Sequence, residues 1–525
     1  MINFLYYINS ITRNLIPLLI LINFILLLIL IYLNWKFINQ FFIKIDKKTW
    51  LILITIFICA LSLRLFIPEI RHIMYIDEGM YMEAGKNMLN TGSQMEYAKP
   101  IGWSFLLSLV FGIFGINNWV ALYTSLFLGA LTIVLMFFVT FLITKNKPLS
   151  LFASFIFSLI PVHIRWSASA ETNVPSLFFV LLSLFFCLLY YESPKKSLLW
   201  LSLVSISFAS QFRVENYSLF VIFLSGYLLF YKRIKSYFDL ILPFVVSFVI
   251  TLPNLVQSVV YYNNFSIIHG YPSDILKLNI LISNLIHNTL NYAPSLWDYN
   301  FQPLLFTFLV MIGFIYSFFL KNRKQIIFLI SYFVFFWLAM FIVGSTLNFN
   351  VEIQRFFIVF LPILIILMNY GLLFIKQNLF FKPLINKIIY IIFLFILVLM
   401  YVPYIFDYSM TGSNSAYLLE TKIPELAERD IPLDCYIVAV NPVILRSTTN
   451  LNVVDIYNFL DHNESNHYLE KECLLFFDDV CCSDYYFTDR HHKKCQEIKQ
   501  KYILFPYLNY TEEQVTYNFY NITKQ

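Results

Sequence analysis

Twelve apolar runs dominate this chain, near 16–35, 50–68, 119–143, 149–166, 172–191, 197–212, 217–231, 237–260, 303–320, 325–344, 356–375 and 388–406. A bilayer core takes roughly twenty apolar residues as one helix. In hydrocarbon every backbone polar group must find its partner within the protein, so such runs fold as helices packed side by side. Composition agrees: 59% of the 525 residues are hydrophobic and 13% are charged, about half the roughly 25% charge of a soluble domain. The net charge of +5 is spread over short loops, which excludes a nucleic-acid-binding reading. The first run lacks a basic leader and a small-residue cleavage site, so it reads as a span rather than a removable signal.

Loop charge orients the runs, because cytoplasmic loops collect Lys and Arg. Lys36, Lys44, Lys47 and Lys48 follow the first run, Lys145 and Lys147 the third, Lys195 and Lys196 the fifth. Lys232, Arg233 and Lys235, then Lys321, Arg323 and Lys324, then Lys376, Lys382 and Lys387 mark further inner loops. A short run at 101–116 contains Gly102, Gly112 and Gly115. Were it a span, Lys145 and Lys147 would face outward, so it is expected to lie at the interface within a first outer loop, 69–118. The chain thus divides into a membrane domain, 1–406, with about twelve spans, and a polar segment, 407–525, outside the membrane. Short β-like runs at 436–440, 453–457 and 474–477 mark that segment as a small α/β domain. It holds Cys435, Cys473, Cys481, Cys482 and Cys495, which in an oxidising compartment implies disulfides with one thiol left over. His491 and His492 beside Cys495 fit no standard zinc spacing.

On this topology Asp77, Lys99, Arg165, Glu171, Arg213, Glu215 and Arg355 all fall at the outer ends of spans or in outer loops. Glu78 adjoins Asp77. Charges beside hydrocarbon are costly, so their convergence on one face marks a site. The plainer alternative is that helix ends carry snorkelling charges. A carboxylate there can deprotonate a hydroxyl, and a cation can hold a phosphate.

Five motifs carry a resemblance: Asp77-Glu78 in the first outer loop, Lys99-Pro100 ahead of an apolar helix, Arg165 to Glu171, Gln211-Phe-Arg213-Val-Glu215, and Gln354-Arg355-Phe356 before Leu361-Pro362. In order and placement the chain resembles the polyprenyl-phosphate-sugar glycosyltransferases of the GT-C fold, the protein O-mannosyltransferases and the lipid A aminoarabinose transferase, over about residues 50–375. The resemblance implies an all-α polytopic fold with juxtamembrane helices in the first outer loop. It implies transfer of a sugar, of hexose or mannose type, from a polyprenyl-phosphate donor to a hydroxyl of a protein, lipid or glycan on the extracytoplasmic face, with inversion. It gives Asp77 the role of base, with Glu78 as support and Glu171 orienting the acceptor or the base. Lys99, Arg355 and Arg213 become the donor-phosphate residues. Two departures stand out: the family often has Lys-Pro-Pro where this chain has Lys99-Pro100-Ile101, and Asp at the position of Glu171. No cofactor is expected; a divalent ion on Asp77, Glu78 and Glu171 is the alternative left open. The rival functions are a transporter or flippase, which would place charges near the midplane of repeated halves, and a non-catalytic assembly partner.

Overall fold

A computed structural model describes residue 7 and residues 11–66, 76–92, 100–230, 238–268, 278–292, 303–320, 323–343, 354–378, 391–392, 395–396, 398–405, 415–440, 442–460, 465–478, 489–512 and 515–524. Lys99, Cys481 and Cys482 lie outside the described residues. Apolar runs become helices in chain order: α1 (Ile16–Ile43), α2 (Lys47–Leu65), the first-loop pair α3 (Ile76–Thr91) and α4 (Gly102–Phe114), then α5 (Asn118–Thr144). A kinked pair follows, α6 (Lys147–Leu159) and α7 (Pro161–Ser167), then α8 (Asn173–Glu192), α9 (Lys196–Ser210) and α10 (Ser218–Leu229). The membrane domain continues with α11 (Phe238–Ile268), α12 (Leu278–Tyr292), α13 (Leu304–Ser317), α14 (Arg323–Val343) and α15 (Leu361–Asn378).

Among the described residues six helices are long and apolar enough to cross a membrane, or seven if the kinked pair counts as one span. The expected spans at 197–212, 217–231, 303–320 and 325–344 correspond to shorter apolar helices, and the last, 388–406, is only partly described. The multi-pass character stands. The shortening at α9 has a cause in the sequence: Gln211, Arg213, Glu215 and Asn216 interrupt the apolar run, and Val214–Tyr217 forms a 3-10 turn there. Helix α4 has 13 residues, about 20 Å at 1.5 Å per residue, too short to span comfortably. It packs against α3.

The expected single span at 149–166 is instead bent by 65° between α6 and α7. Pro161 opens the second piece; it lacks the N–H that would continue the ladder, and its ring opposes the preceding turn. Arg64 serves the break. Its guanidinium is fully buried and donates to Ser158 O at 3.5 Å, Ala60 O at 3.0 Å, Ser167 Oγ at 3.1 Å and His163 Nδ1 at 2.6 Å. His163 Nε2 lies 3.1 Å from Thr132 Oγ1, tying in α5. Polar pairs also fix α1, much of which faces outward: Asn23 Nδ2 donates to Ser207 Oγ at 2.9 Å and Ser197 Oγ to Asn34 Oδ1 at 2.7 Å. Such bonds substitute for the hydrophobic drive that lipid removes.

Helices α13 and α15 approach closely because Gly313 and Gly371 leave no side chain between them: a Cβ on Gly313 would meet Leu367 O, and one on Gly371 would meet Leu309 O. Backbone carbonyls cannot give way as side-chain ends do. Gly371→Val is therefore expected to lower stability by about 1–3 kcal/mol or more, read as an earlier melt of the detergent-solubilised chain; an unchanged melt would refute the packing.

The C-terminal domain is a five-stranded sheet of order β2-β1-β3-β5-β4, with β1 (Tyr436–Ala439), β2 (Asn452–Asp455), β3 (Leu474–Asp478), β4 (Tyr502–Glu512) and β5 (Val515–Lys524). Strand β1 runs parallel to β2 and β3, while β5 runs antiparallel to β3 and β4. Helix α16 (Ser415–Asp430) covers one face through Ile423 and Ala427, and a later helix, Asp489–Lys501, covers the other through Cys495 and Ile498. The three expected strands are present; the β4–β5 hairpin is an addition. Pro506 obscured it, since proline cannot donate to a ladder. It is accommodated because β4 is an edge strand with a register shift between Pro506 and Leu508.

Cys435 and Cys473 form a disulfide across a separation of 38 residues, just ahead of the paired strands β1 and β3; Cys495 is disulfide-bonded as well. Closing a loop of that length restricts the unfolded chain. The Cys435→Ser, Cys473→Ser double variant should lose about 3–4 kcal/mol, seen in the domain's melting transition, and reductant should have little further effect on that loop.

Candidate active site

The site is assembled from four segments: the first turn of α3, the stretch 165–173 from the end of α7 to the first residue of α8, the turn 211–217, and the helical turn Gln354–Phe357. Asp77 and Glu78 occupy the first turn of α3, where the exposed N–H groups and the helix dipole favour negative charge. One helical step of about 100° separates them, and they have different fates. Glu78 is fully buried. Its Oε1 accepts from Ala170 N at 2.8 Å and from Ser169 Oγ, pinning α3 to the loop before α8. Asp77 stays reachable, its side chain 38% exposed.

Trp103 Nε1 donates to Ala170 O at 2.5 Å, and Gly102 N donates to Gln211 O at 2.7 Å. Gly102 is required there, because a Cβ would fall 2.8 Å from that carbonyl oxygen. Thus α4 clasps both the 165–173 and the 211–217 segments against the first-loop helices.

Arg355 links the pieces. Its Nη1 donates to Glu171 Oε1 at 2.7 Å, and its Nη2 lies 3.7 Å from Asp77 Oδ2. Glu171, whose side chain is 4% exposed, also accepts from Asn173 Nδ2 at 3.3 Å. Asn173 in turn accepts from Arg213, which pairs with Glu215. Aromatic rings separate the guanidinium groups: Arg165 lies 5.7 Å and Arg355 5.4 Å from the Trp166 ring, while Arg355 lies 5.0 Å and Arg213 4.7 Å from the Phe356 ring. Cation–π attraction offsets part of the repulsion between the arginines and fixes their planes.

Asp77, Glu171, Arg213, Glu215 and Arg355 are therefore brought into one cluster, with Arg165 stacked at its edge and Glu78 buried beneath it. Trp166, Ser169 and Asn173 were given no role in the sequence reading, and Phe356 was named only as part of its motif. Trp166 and Phe356 each adjoin an arginine already singled out, and that adjacency was the available signal. Among the described residues no three His, Cys, Asp or Glu side chains are grouped as metal ligands would be. Chemically the cluster offers a half-exposed carboxylate beside a cation whose position is set by a second, buried carboxylate.

Residues 98–257 match a family model described as dolichyl-phosphate-mannose-protein mannosyltransferase; that segment contains Arg165, Glu171, Arg213 and Glu215. An uncharacterised protein of Aquifex aeolicus is 31% identical over 141 residues, a match covering 25% of this chain and 28% of that protein. Among solved structures, ArnT from Cupriavidus metallidurans bound to undecaprenyl phosphate is similar with TM-score 0.56 at 12% identity, covering 91% of this chain and 98% of that one. The Archaeoglobus fulgidus oligosaccharyltransferase complex with Zn and sulfate gives 0.55 at 12% identity, covering 90% and 73%. The chain is thus a multi-pass membrane protein of the GT-C fold, with a segment, 98–257, that is similar to the dolichyl-phosphate-mannose-protein mannosyltransferase family.

Proposed function

We propose that this protein is a membrane glycosyltransferase that moves a sugar, of hexose or mannose type, from a polyprenyl-phosphate donor to a hydroxyl acceptor on the extracytoplasmic face. The observation that carries the reading is the Asp77–Arg355–Glu171 arrangement, a half-exposed carboxylate held next to a fixed guanidinium. The family match supports the reaction class, and the similar Cupriavidus protein was captured with undecaprenyl phosphate.

In this reading Asp77 takes the proton of the acceptor hydroxyl as its oxygen attacks the anomeric carbon. The bond from that carbon to the donor phosphate breaks, its electron pair stays on the phosphate oxygen, and attack from the opposite face inverts the centre. The departing lipid phosphate gains one negative charge. Arg355, aided by Arg213 and by Lys99, stabilises that charge as it develops, so no acid need protonate the leaving group. Glu171 keeps Arg355 in register. This reading assigns no step to a metal and gives Glu78 and Glu171 the task of accepting from protein donors. The outer-face placement rests on the basic inner loops.

The test is transfer by membranes holding the full chain, supplied with radiolabelled polyprenyl-phosphate hexoses and a native acceptor extract. Labelled acceptor is expected, and its identity names the acceptor class. Failure of a folded, stable chain to transfer from any donor would sink the reading in favour of a flippase or an assembly partner.

A further inference from the structure

A cleft of about 400 Å³ opens between the first-loop helix α3 and the C-terminal domain. It is separate from the charged cluster. Its helix wall is made by Glu83, Lys86 and Asn87, six to ten residues beyond Asp77, or about 9–15 Å along the axis at 1.5 Å per residue. Its other wall is the domain's Arg446 and the stretch 449–454, with Tyr436 and Tyr468.

The walls are tied together. Lys86 Nζ donates to Arg446 O at 3.3 Å and to Thr449 O; burial pushes its ammonium below the ordinary lysine range, and Glu428 and Glu83 oppose that shift. Arg446 Nε and Nη2 donate to Val453 O at 2.9 and 2.7 Å, and its Nη1 lies 3.9 Å from Glu83 Oε1. Both cations are thus engaged by carbonyls and a carboxylate, which makes the cleft a poor trap for a phosphate or other anion. It offers amides and aromatic faces instead. Asn87 Nδ2 is buried without a hydrogen-bond partner, a cost that a bound acceptor atom would relieve. Tyr436 and Tyr468, whose rings stand 5.6 Å apart and tilted by 55°, line it as well.

We infer that this cleft is a saccharide-binding subsite, which seats a neutral, hydroxyl-rich part of the acceptor while its reactive hydroxyl reaches Asp77. The Asn87 amide can donate to a sugar hydroxyl, and tyrosine rings pack against the C–H face of a sugar. The acceptor role rests on the transferase reading above; the binding site does not.

The experiment is saturation-transfer NMR on the full chain in detergent micelles with two probes, α-mannotriose and triacetylchitotriose. Asn87→Leu and Tyr468→Ala serve as variants, each accepted only if its melting temperature matches the wild type. At least one probe should bind the wild type and lose roughly tenfold or more in affinity in either variant, the effect of deleting one good buried contact. Binding by neither probe, or equal binding by wild type and folded variants, would overturn the inference, as would displacement of the bound probe by inorganic phosphate. Saccharide binding that the variants abolish, in membranes that transfer no sugar, supports the cleft and removes the transferase reading. Sugar transfer without saccharide binding does the reverse.

Discussion

Asp77→Asn is expected to leave the protein folded and able to bind donor while lowering sugar transfer by about 10²–10⁴-fold, the range for removing a positioned general base. Asparagine keeps the shape of the side chain and its place in the first turn of α3 but cannot take a proton. Folding should survive because the anchor of that turn is Glu78, through Ser169 and Ala170 N, not Asp77. Substitution by a neighbour is disfavoured: Glu78 is fully buried, and Glu171 is nearly so, with both its oxygens accepting from Arg355 and Asn173. Single-turnover transfer with radiolabelled donor separates the chemical step from binding. Wild-type turnover in a folded Asp77→Asn protein would remove the base assignment, and a parallel Glu78→Gln variant would show whether the neighbour serves. That second variant should still fold and transfer sugar, since the glutamine oxygen can go on accepting from Ser169 Oγ and Ala170 N and so keep the pin between α3 and the 165–173 segment.

The contrast between these two adjacent carboxylates shows what could be read from the chain and what could not. The apolar runs were enough to place the helices along the chain, because the length of an apolar run is a local property. The charges at the ends of those runs followed from that layout, and Glu171 and Arg355 do meet across 184 residues. Which of Asp77 and Glu78 faces inward depends on the rotational phase of a helix, and only its packing partners fix that. The bend at Pro161 was visible as a proline, but its consequence needed Arg64 and Ser158 from separate helices. The β4–β5 hairpin was masked by Pro506, whose tolerance depends on being at a sheet edge. The cleft beside α3 had no local signature at all, since its walls come from segments 360 residues apart.

Arg355→Gln should have two separable effects. In the folded state Glu171, with a side chain 4% exposed, loses its cation, and breaking such a buried pair costs about 3–5 kcal/mol. In the reaction, the guanidinium that opposes the developing phosphate charge is gone, which should lower kcat by about 10²–10³-fold. A single variant would confound the two, so the informative protein is the Arg355→Gln, Glu171→Gln pair. Two neutral amides can hydrogen-bond to each other, and the double variant should melt above Arg355→Gln alone, the coupling expected of side chains in contact. Transfer should stay depressed, because restoring the fold does not restore the charge. Arg355→Lys should fall between: it keeps a point charge but lacks the planar fork that spans Glu171 and the phosphate. Were the double variant to regain both stability and near-wild-type turnover, Arg355 would be a partner of Glu171 only, and the charge opposing the leaving phosphate would have to come from Arg213 or Lys99.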